Sequence, residues 1–484
     1  MQRERLFRLT SSSFKLPFHV DYKHQVQTSN GADIPTVTWP DNRWCFPANV
    51  YLLEQYKRNL SRKHGGGTLA TYARNIGHLI RFCFISGVDV TEITDSLFTR
   101  FIRNLEVEYR DADRSKRVRS TTSVITIGRQ CLGFLETVGR LYHLAEFVGP
   151  NGRIAAKRKT VNIRPSRQGR KRPSRRNWTQ SCWTHHSFPI PDPKDRRFSI
   201  SSESIAKLLD AVAESSSSPF LTKRRYVMLR VLEITGGRRS EVAAVTVENV
   251  RLASKMTDPM LRLLSAKRRG GEESFRYVPI ARHDLAFLLE YIEVNRRRIV
   301  RLTCGAARDD GVLLVSERSG RGLRPNTITA EVARLAKDAG LIERAHPHMF
   351  RHRFALREMA AMAEQNASEH PGDFRRGLID GEAMKLKLSQ LLGQTSPESA
   401  DAYLRDTLTE FTNFSRTYDA AKFQLVITSA KGALKLLERE IESNTLTRQT
   451  LGKIRSFLGA LESDIDLAVT KRAAYKSVDK RQPD

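Results

Sequence analysis

Four parts of the chain carry groups able to work on an anion. Thr235-Gly236-Gly237-Arg238-Arg239-Ser240-Glu241 sets two arginines and a carboxylate on a glycine turn. Lys267 opens the stretch Lys267-Arg268-Arg269-Gly270-Gly271-Glu272-Glu273. His348 and Arg351 are three residues apart, the spacing of neighbours on one helix face. Tyr403 follows Gln394 by nine residues. Guanidinium forks and ammonium groups are the natural partners of phosphate oxygens. Other chemistries lack their residues. There is no GxxxxGK[ST] loop, so no nucleotide energy source is expected. HExxH and paired-cysteine zinc signatures are missing. Cys182, His185 and His186 make a C-x-x-H-H fragment without a second ligand pair nearby, so no metal is expected. Carboxylates at a two-metal spacing are not evident, which leaves a two-metal nuclease without support. No cofactor is expected.

Composition points to the same class of partner. The chain has 484 residues, with 82 Lys and Arg against 53 Asp and Glu, a net charge of +29 and a pI near 10.2. Such a balance implies a polyanionic partner, nucleic acid first. With 40% hydrophobic residues the chain can bury sizeable cores, in about two to four domains. No apolar run approaches the roughly 18 residues of a membrane helix. The N-terminal MQRERLFRLTSSSF has no apolar core of signal-peptide type. Five scattered cysteines argue for a reducing compartment. The expectation is a cytoplasmic, nucleoid-associated protein with no membrane partner.

The elements that must position these groups follow from periodicity. Residues 1–40 show weak alternation around His19–Thr28 and read as an irregular extension. Residues 41–150 read as a small helical domain. Tyr72, Ile76, Leu79 and Cys83 share one helical face, and Ile127, Cys131, Phe134, Leu135, Val138 and Tyr142 share another. Residues 151–200 hold fourteen Lys and Arg against two acids, with five prolines. That stretch is expected to be extended, so 151–197 reads as a basic interdomain linker. Its Arg170, Lys171, Arg172, Arg175 and Arg176 would track phosphates. From 198 to 415 the pattern mixes helices with strand-like pieces at Val245–Leu252, Leu261–Ala266 and Phe275–Ile280; the last two predict a hairpin. Residues 363–383 are polar and predict an irregular segment. In 416–484, Ile427 to Ile441 and Leu451 to Ala468 each step by three and four, an a/d seam that predicts a helical hairpin. The fold class is mainly α with a small antiparallel β-sheet, an α+β architecture.

Three of these motifs, in this order, resemble the boxes of the tyrosine recombinase (phage integrase) family. TGGRRSEV at 235–242 is similar to its TGxRxxE box, and HMFRH at 348–352 to its HxxRH box. LLGQ at 391–394 followed by Tyr403 resembles its LGH…Y ending. The resemblance is specific over about 198–410. It extends loosely to 41–150 as a helical core-binding domain. It implies metal-free cleavage and rejoining of double-stranded DNA through a 3′-phosphotyrosyl ester. Tyr403 would be the nucleophile. Arg238 and Arg351 would present forks to the non-bridging oxygens. Lys267 would protonate the leaving 5′-oxygen, and His348 would exchange a proton with Tyr403. Gln394 stands where the family has His or sometimes Trp; it can donate an N–H to phosphate but cannot shuttle a proton. Glu241 and His352 would support the basic groups from behind. Arg239, Arg268 and Arg269 would contact DNA. The 43 residues from Arg351 to Gln394 exceed the usual family interval, which marks 363–383 as an insertion. The family implies a homo-oligomer, a tetramer on two duplexes, with room for a second recombinase. Two other readings share the motifs: a paralogue with reduced catalysis that acts architecturally, and a relaxing enzyme of the type IB topoisomerase kind.

Overall fold

The computed structural model describes residues 5–109, 117–163, 178–192, 199–265, 274–342, 345–369 and 382–393, with Gly459 in addition. Lys267, Arg268, Arg269, Gln394, Tyr403, the arginines and lysine of 170–176 and the expected helical hairpin of 416–484 lie outside them. The chain divides into two units, one reaching to Asp195 and one starting at Arg196. The class is as expected: helices with small antiparallel sheets. No helix among the described residues is long and apolar enough to cross a membrane.

The first unit opens on strands, where an irregular extension was expected. β1 (Phe7–Leu9) pairs antiparallel with β4 (Pro35–Val37), and β2 (Lys15–Val20) with β3 (Val26–Asn30). The weak alternation around His19–Thr28 was the trace of the second hairpin. The first sheet is tied to the helices by one amide. Asn49 accepts from the Val37 N–H and donates to the Val37 carbonyl, both at 2.8 Å, and so acts as an extra strand residue. Asn49 belongs to α1 (Phe46–Lys57), which is followed by α2 (Lys63–Ser86), α3 (Asp95–Glu106) and α4 (Thr121–Leu141). Thr94 and Ser120 cap the last two by accepting from Leu97 and Ser123 backbone N–H groups. Ile76, Leu79 and Cys83 of α2 meet Cys131, Phe134, Leu135 and Val138 of α4 in one buried cluster with Phe98 and Phe101. The expected faces are therefore the core, except that Tyr142 caps α4 and is exposed.

The described parts of the basic stretch after this core are paired strands, where an extended linker was expected. After β5 (Val148–Gly149), β6 (Ile154–Ile163) pairs antiparallel with β7 (Trp178–His185). Ile154 and Ala156 are buried while Lys157 and Lys159 face out. Glu136 of α4 fastens the pair. It binds the Arg158 guanidinium and accepts from the Trp183 indole at 3.2 Å, and Arg158 lies 4.7 Å from the Trp183 ring centroid. Composition averaged over the stretch concealed this alternation of inward and outward residues.

The second unit begins with α5 (Ser202–Ser215), capped by Ser201, and α6 (Pro219–Thr235), capped by Ser218. α7 (Arg239–Ala243) and α8 (Val247–Ser254) follow. α8 corrects the expected strand at Val245–Leu252. Thr246 accepts from the Asn249 N–H, and Val250 and Ala253, three apart, face the core. The cap overrode the β preference of the valines. β8 (Met260–Leu264) and β9 (Phe275–Pro279) form the expected hairpin strands. α9 (Arg282–Glu290) passes through a π-helical turn at Tyr291–Arg296 into α10 (Arg297–Leu302). α11 (Pro325–Asp338), α12 (Pro347–Glu369) and α13 (Glu382–Leu392) complete the unit. α12 runs six residues past Ala363, so the expected irregular segment is helical in its first part.

Candidate active site

The turn between α6 and α7 is shaped by its glycines. Gly236 has φ +54°, and a Cβ there would come within 2.7 Å of the Phe354 ring. The backbone can neither adopt that conformation easily nor approach Phe354 with a side chain present. The turn delivers Arg238 at the start of α7. Its own N–H and its guanidinium both reach Glu241, at 3.1 and 2.6 Å. Glu241 is fully buried.

Three guanidiniums converge on that carboxylate. Arg276 of β9 donates to Glu241 Oε2 from Nε at 3.3 Å and from a terminal nitrogen at 2.9 Å. It also donates to the carbonyls of Thr235 and Leu391. Arg351 of α12 stands 3.9 Å from Glu241 and donates to the carbonyls of Gly236 at 3.0 Å and Leu392 at 2.6 Å. Burial pushes the Glu241 carboxyl up, but the charges of Arg276, Arg238 and Arg351 outweigh it and hold the group below the ordinary glutamate range. Three cations on one anion leave the cluster positive, as an anion site requires.

Two arginines thus bind the end of α13 to the arginine turn. Arg276 holds Leu391 and Arg351 holds Leu392. Gly393 follows with φ +58°, where a Cβ would lie 3.0 Å from Arg276 Cδ and 3.2 Å from Ser265 Oγ. Gly393 precedes Gln394, and Ser265 stands two residues before Lys267. The Ser265 N–H also bonds the Ser274 carbonyl, which closes the strand pair there.

The expected site residues separate into three groups. Arg238, Glu241 and Arg351 are brought together. Arg238 is the more open of the two expected phosphate-binding arginines, with 18% side-chain exposure against 1% for Arg351. His348 is exposed at the first turn of α12, and its ring lies edge-on to buried His352, with centroids 4.5 Å apart. Arg239 is exposed and donates to Thr329 Oγ1 of α11 at 3.3 Å, away from the Glu241 cluster. Arg276 was not expected from sequence. Its mark is its register: in β9 it shares the inward face with Val278, between outward Phe275 and Tyr277. An arginine at an inward strand position has to find a buried anion.

Residues 199–368 match the phage integrase family. The match takes in Arg238, Lys267, Arg276, His348 and Arg351, and ends before Gln394 and Tyr403. The tyrosine recombinase XerC of Shewanella oneidensis is 24% identical over 201 residues, 42% of this chain and 52% of its own. The tyrosine recombinase XerD of Mycobacterium leprae is 28% identical over 158 residues, 32% of this chain and 46% of its own. This chain spans about half the length of the curated relatives it matches. Among solved structures, the XerH site-specific recombinase bound to palindromic difH substrate, a post-cleavage complex, aligns over 77% of this chain and 88% of its own, at 13% identity and a TM-score of 0.43.

Proposed function

Residues 199–368 form a domain of the phage integrase family, and from that premise we propose that the protein is a site-specific recombinase of double-stranded DNA, cutting and rejoining strands through a 3′-phosphotyrosyl intermediate. The observation that carries this reading is the convergence at Glu241. The arginine turn, Arg351, the strand end before Lys267 and the residue before Gln394 all meet there. Arg238 and Arg351 lie in those segments, and Lys267 and Gln394 follow the other two within two residues.

In this reading the scissile phosphate sits over the turn. Arg238 keeps one edge of its guanidinium on Glu241 and offers the rest to a non-bridging oxygen. Arg351 braces the turn and the end of α13 through two carbonyls and adds its charge to the same oxygens. Preorganised donors of this kind are each worth about 3–4 kcal/mol to a transition state. Tyr403 attacks phosphorus, and the 5′-oxygen leaves with a proton from Lys267. His348 takes the phenol proton, and Gln394 adds an N–H to the phosphate. The ester conserves the bond energy for rejoining, so no nucleotide is consumed. His352 backs His348. Arg239, Arg268, Arg269 and the basic residues 170–176 engage the DNA backbone, and copies of the chain assemble as a tetramer on two duplexes.

The test is adduct formation. Full-length protein is incubated, without Mg²⁺, with duplexes from the ends of its own genetic locus, and denaturant-resistant protein–DNA complexes are mapped by peptide sequencing. The expected result is a nucleotide on Tyr403, absent in Tyr403→Phe and strongly reduced in Arg238→Ala. An adduct on Tyr418, or a strict need for Mg²⁺, overturns the mechanism.

A further inference from the structure

The C-x-x-H-H fragment, short of a ligand pair in sequence, acquires a third donor from a distant helix. Asp95 is the first residue of α3. One of its oxygens lies 2.9 Å from His185 Nε2, at the end of β7. Its other oxygen lies 3.8 Å from His186 Nε2. One donor atom from each of the three residues falls within 4.8 Å of the others. We propose that Asp95, His185 and His186 form a Zn²⁺ site that fastens the end of β7 to the start of α3. The inference concerns the first unit and does not depend on the recombinase reading.

The donor chemistry favours zinc over harder cations. Two imidazoles and one carboxylate suit Zn²⁺, with the fourth position left to water, whereas Mg²⁺ prefers oxygen ligands and its own waters. Ligand atoms around a tetrahedral Zn²⁺ stand about 3.4 Å apart, from bonds of about 2.0–2.2 Å. The observed spacings bracket that value. His186 is 59% exposed and would close the longer one by giving up Thr99 Oγ1, 3.3 Å from its Nε2, and its exposure leaves the site open to solvent.

The surroundings supply what a metal-bound histidine needs. His185 Nδ1 is 2.7 Å from Ser187 Oγ. Nδ1 also accepts from the Ser187 backbone N–H at 3.2 Å; when Nε2 binds the ion, the ring proton moves to Nδ1, replaces that contact and is donated to the hydroxyl oxygen, which fixes the ring. The Ala155 N–H donates to the Asp95 carboxylate at 2.8 Å and orients it. Phe98 and Phe188 pack around the His185 ring at centroid distances of 4.9 and 6.0 Å and shield that side from water. A hydrogen-bonded Asp95–His185 pair accounts for those two residues without an ion. Without an ion, His186 Nε2 has Thr99 Oγ1 at 3.3 Å as its partner; its ring nonetheless lies against His185, with centroids 4.2 Å apart, and the same Nε2 faces the second carboxylate oxygen at 3.8 Å, so an ion would draw on all three donors in place of the Thr99 contact. Cys182 takes no part. It is three residues from His185 on one strand, hence on the opposite face, and its thiol engages the Lys159 carbonyl.

The experiment is calorimetric titration of untagged, metal-depleted full-length protein with Zn²⁺, paired with thermal unfolding. One Zn²⁺ per chain is expected, at micromolar affinity or tighter, together with a raised melting temperature. Exposed His186→Ala should fold normally and bind about tenfold more weakly or worse, with Asp95→Asn behaving alike. Ser187→Ala should lose about 10–100-fold. Cys182→Ser should bind as the parent does, and Mg²⁺ should produce no shift. Absence of Zn²⁺ binding, an unchanged affinity in His186→Ala, or loss of binding in Cys182→Ser overturns the proposal.

Discussion

The two units treat charge in opposite ways. In the first, no Lys, Arg, Asp or Glu among the described residues is fully buried; its core is aromatic, aliphatic and thiol. Burial pushes the Cys45 thiol up to about 11 and the Cys83 thiol up to about 12, so both are neutral space-fillers. Arg140, paired with Glu54, lies at the surface of this unit. The second unit buries Arg224, Arg225, Arg276, Arg296 and Arg351 together with Glu233, Glu241 and Asp284. Arg224 and Arg225 share Glu331, and Arg230 spans Glu233 and Asp284. Removing paired charges from water costs several kcal/mol per ion, and hydrophobic replacements often match or exceed the stability of the pair. The first unit uses the cheaper solution. The second departs from it most heavily at Glu241, where Arg238, Arg276 and Arg351 converge on one buried carboxylate.

That contrast can be broken experimentally, because all four tryptophans, at 39, 44, 178 and 183, lie in the first unit. Tryptophan fluorescence follows that unit, while far-UV circular dichroism follows both. The largest effect is expected for Glu241→Ala, which leaves Arg276 and Arg351 uncompensated. It should destabilise the second unit by about 3–5 kcal/mol in urea unfolding and leave the fluorescence transition in place. If both transitions shift together, the units are not energetically separate.

Acidification should act on the same group. A carboxyl held below the ordinary glutamate range contributes stability that is complete above its unfolded value of 4.5 and lost as pH falls through the lower folded value. The circular-dichroism transition should therefore weaken below about pH 4.5, and Glu241→Gln should reduce that dependence. A Gln variant as acid-sensitive as the parent would place the titration elsewhere.

Smaller effects belong to the first unit. Ile76→Val removes one methylene from a fully buried position and should cost about 0.5–1.5 kcal/mol, visible in fluorescence alone. Arg140→Ala should change stability least. The pair with Glu54 is largely exposed, and such pairs are worth about 0.2–1 kcal/mol and fade with salt. An Arg140→Ala loss that persists in 1 M salt, on the order of 10 times the ionic strength at which screening reaches about 10 Å, would show packing by the side-chain stem rather than charge.

Local pattern determined a large part of this protein. The helical faces of α2 and α4, the serine caps of α5, the glycine stop after α6, the β8–β9 hairpin and the arginine turn are all set by spacing and by residues within a few positions of one another. The motifs that carry Arg238, Lys267, His348 and Arg351 are equally local, and their order along the chain carried the resemblance to the family. What tertiary structure decided is who meets whom at long range. Arg276 became part of the site only because β9 turns it inward, 35 residues beyond Glu241 and 115 before Leu391. Residues 151–163 and 178–187 became a hairpin because Glu136 and the α3–α4 core supplied partners for Arg158, Trp183 and His185. Asp95 meets His185 across 90 residues. No window of sequence contains both members of such pairs. A buried charge is tolerated only where a remote counter-charge arrives, so its position is legible as an anomaly in a strand or helix pattern, while its partner is chosen by the fold.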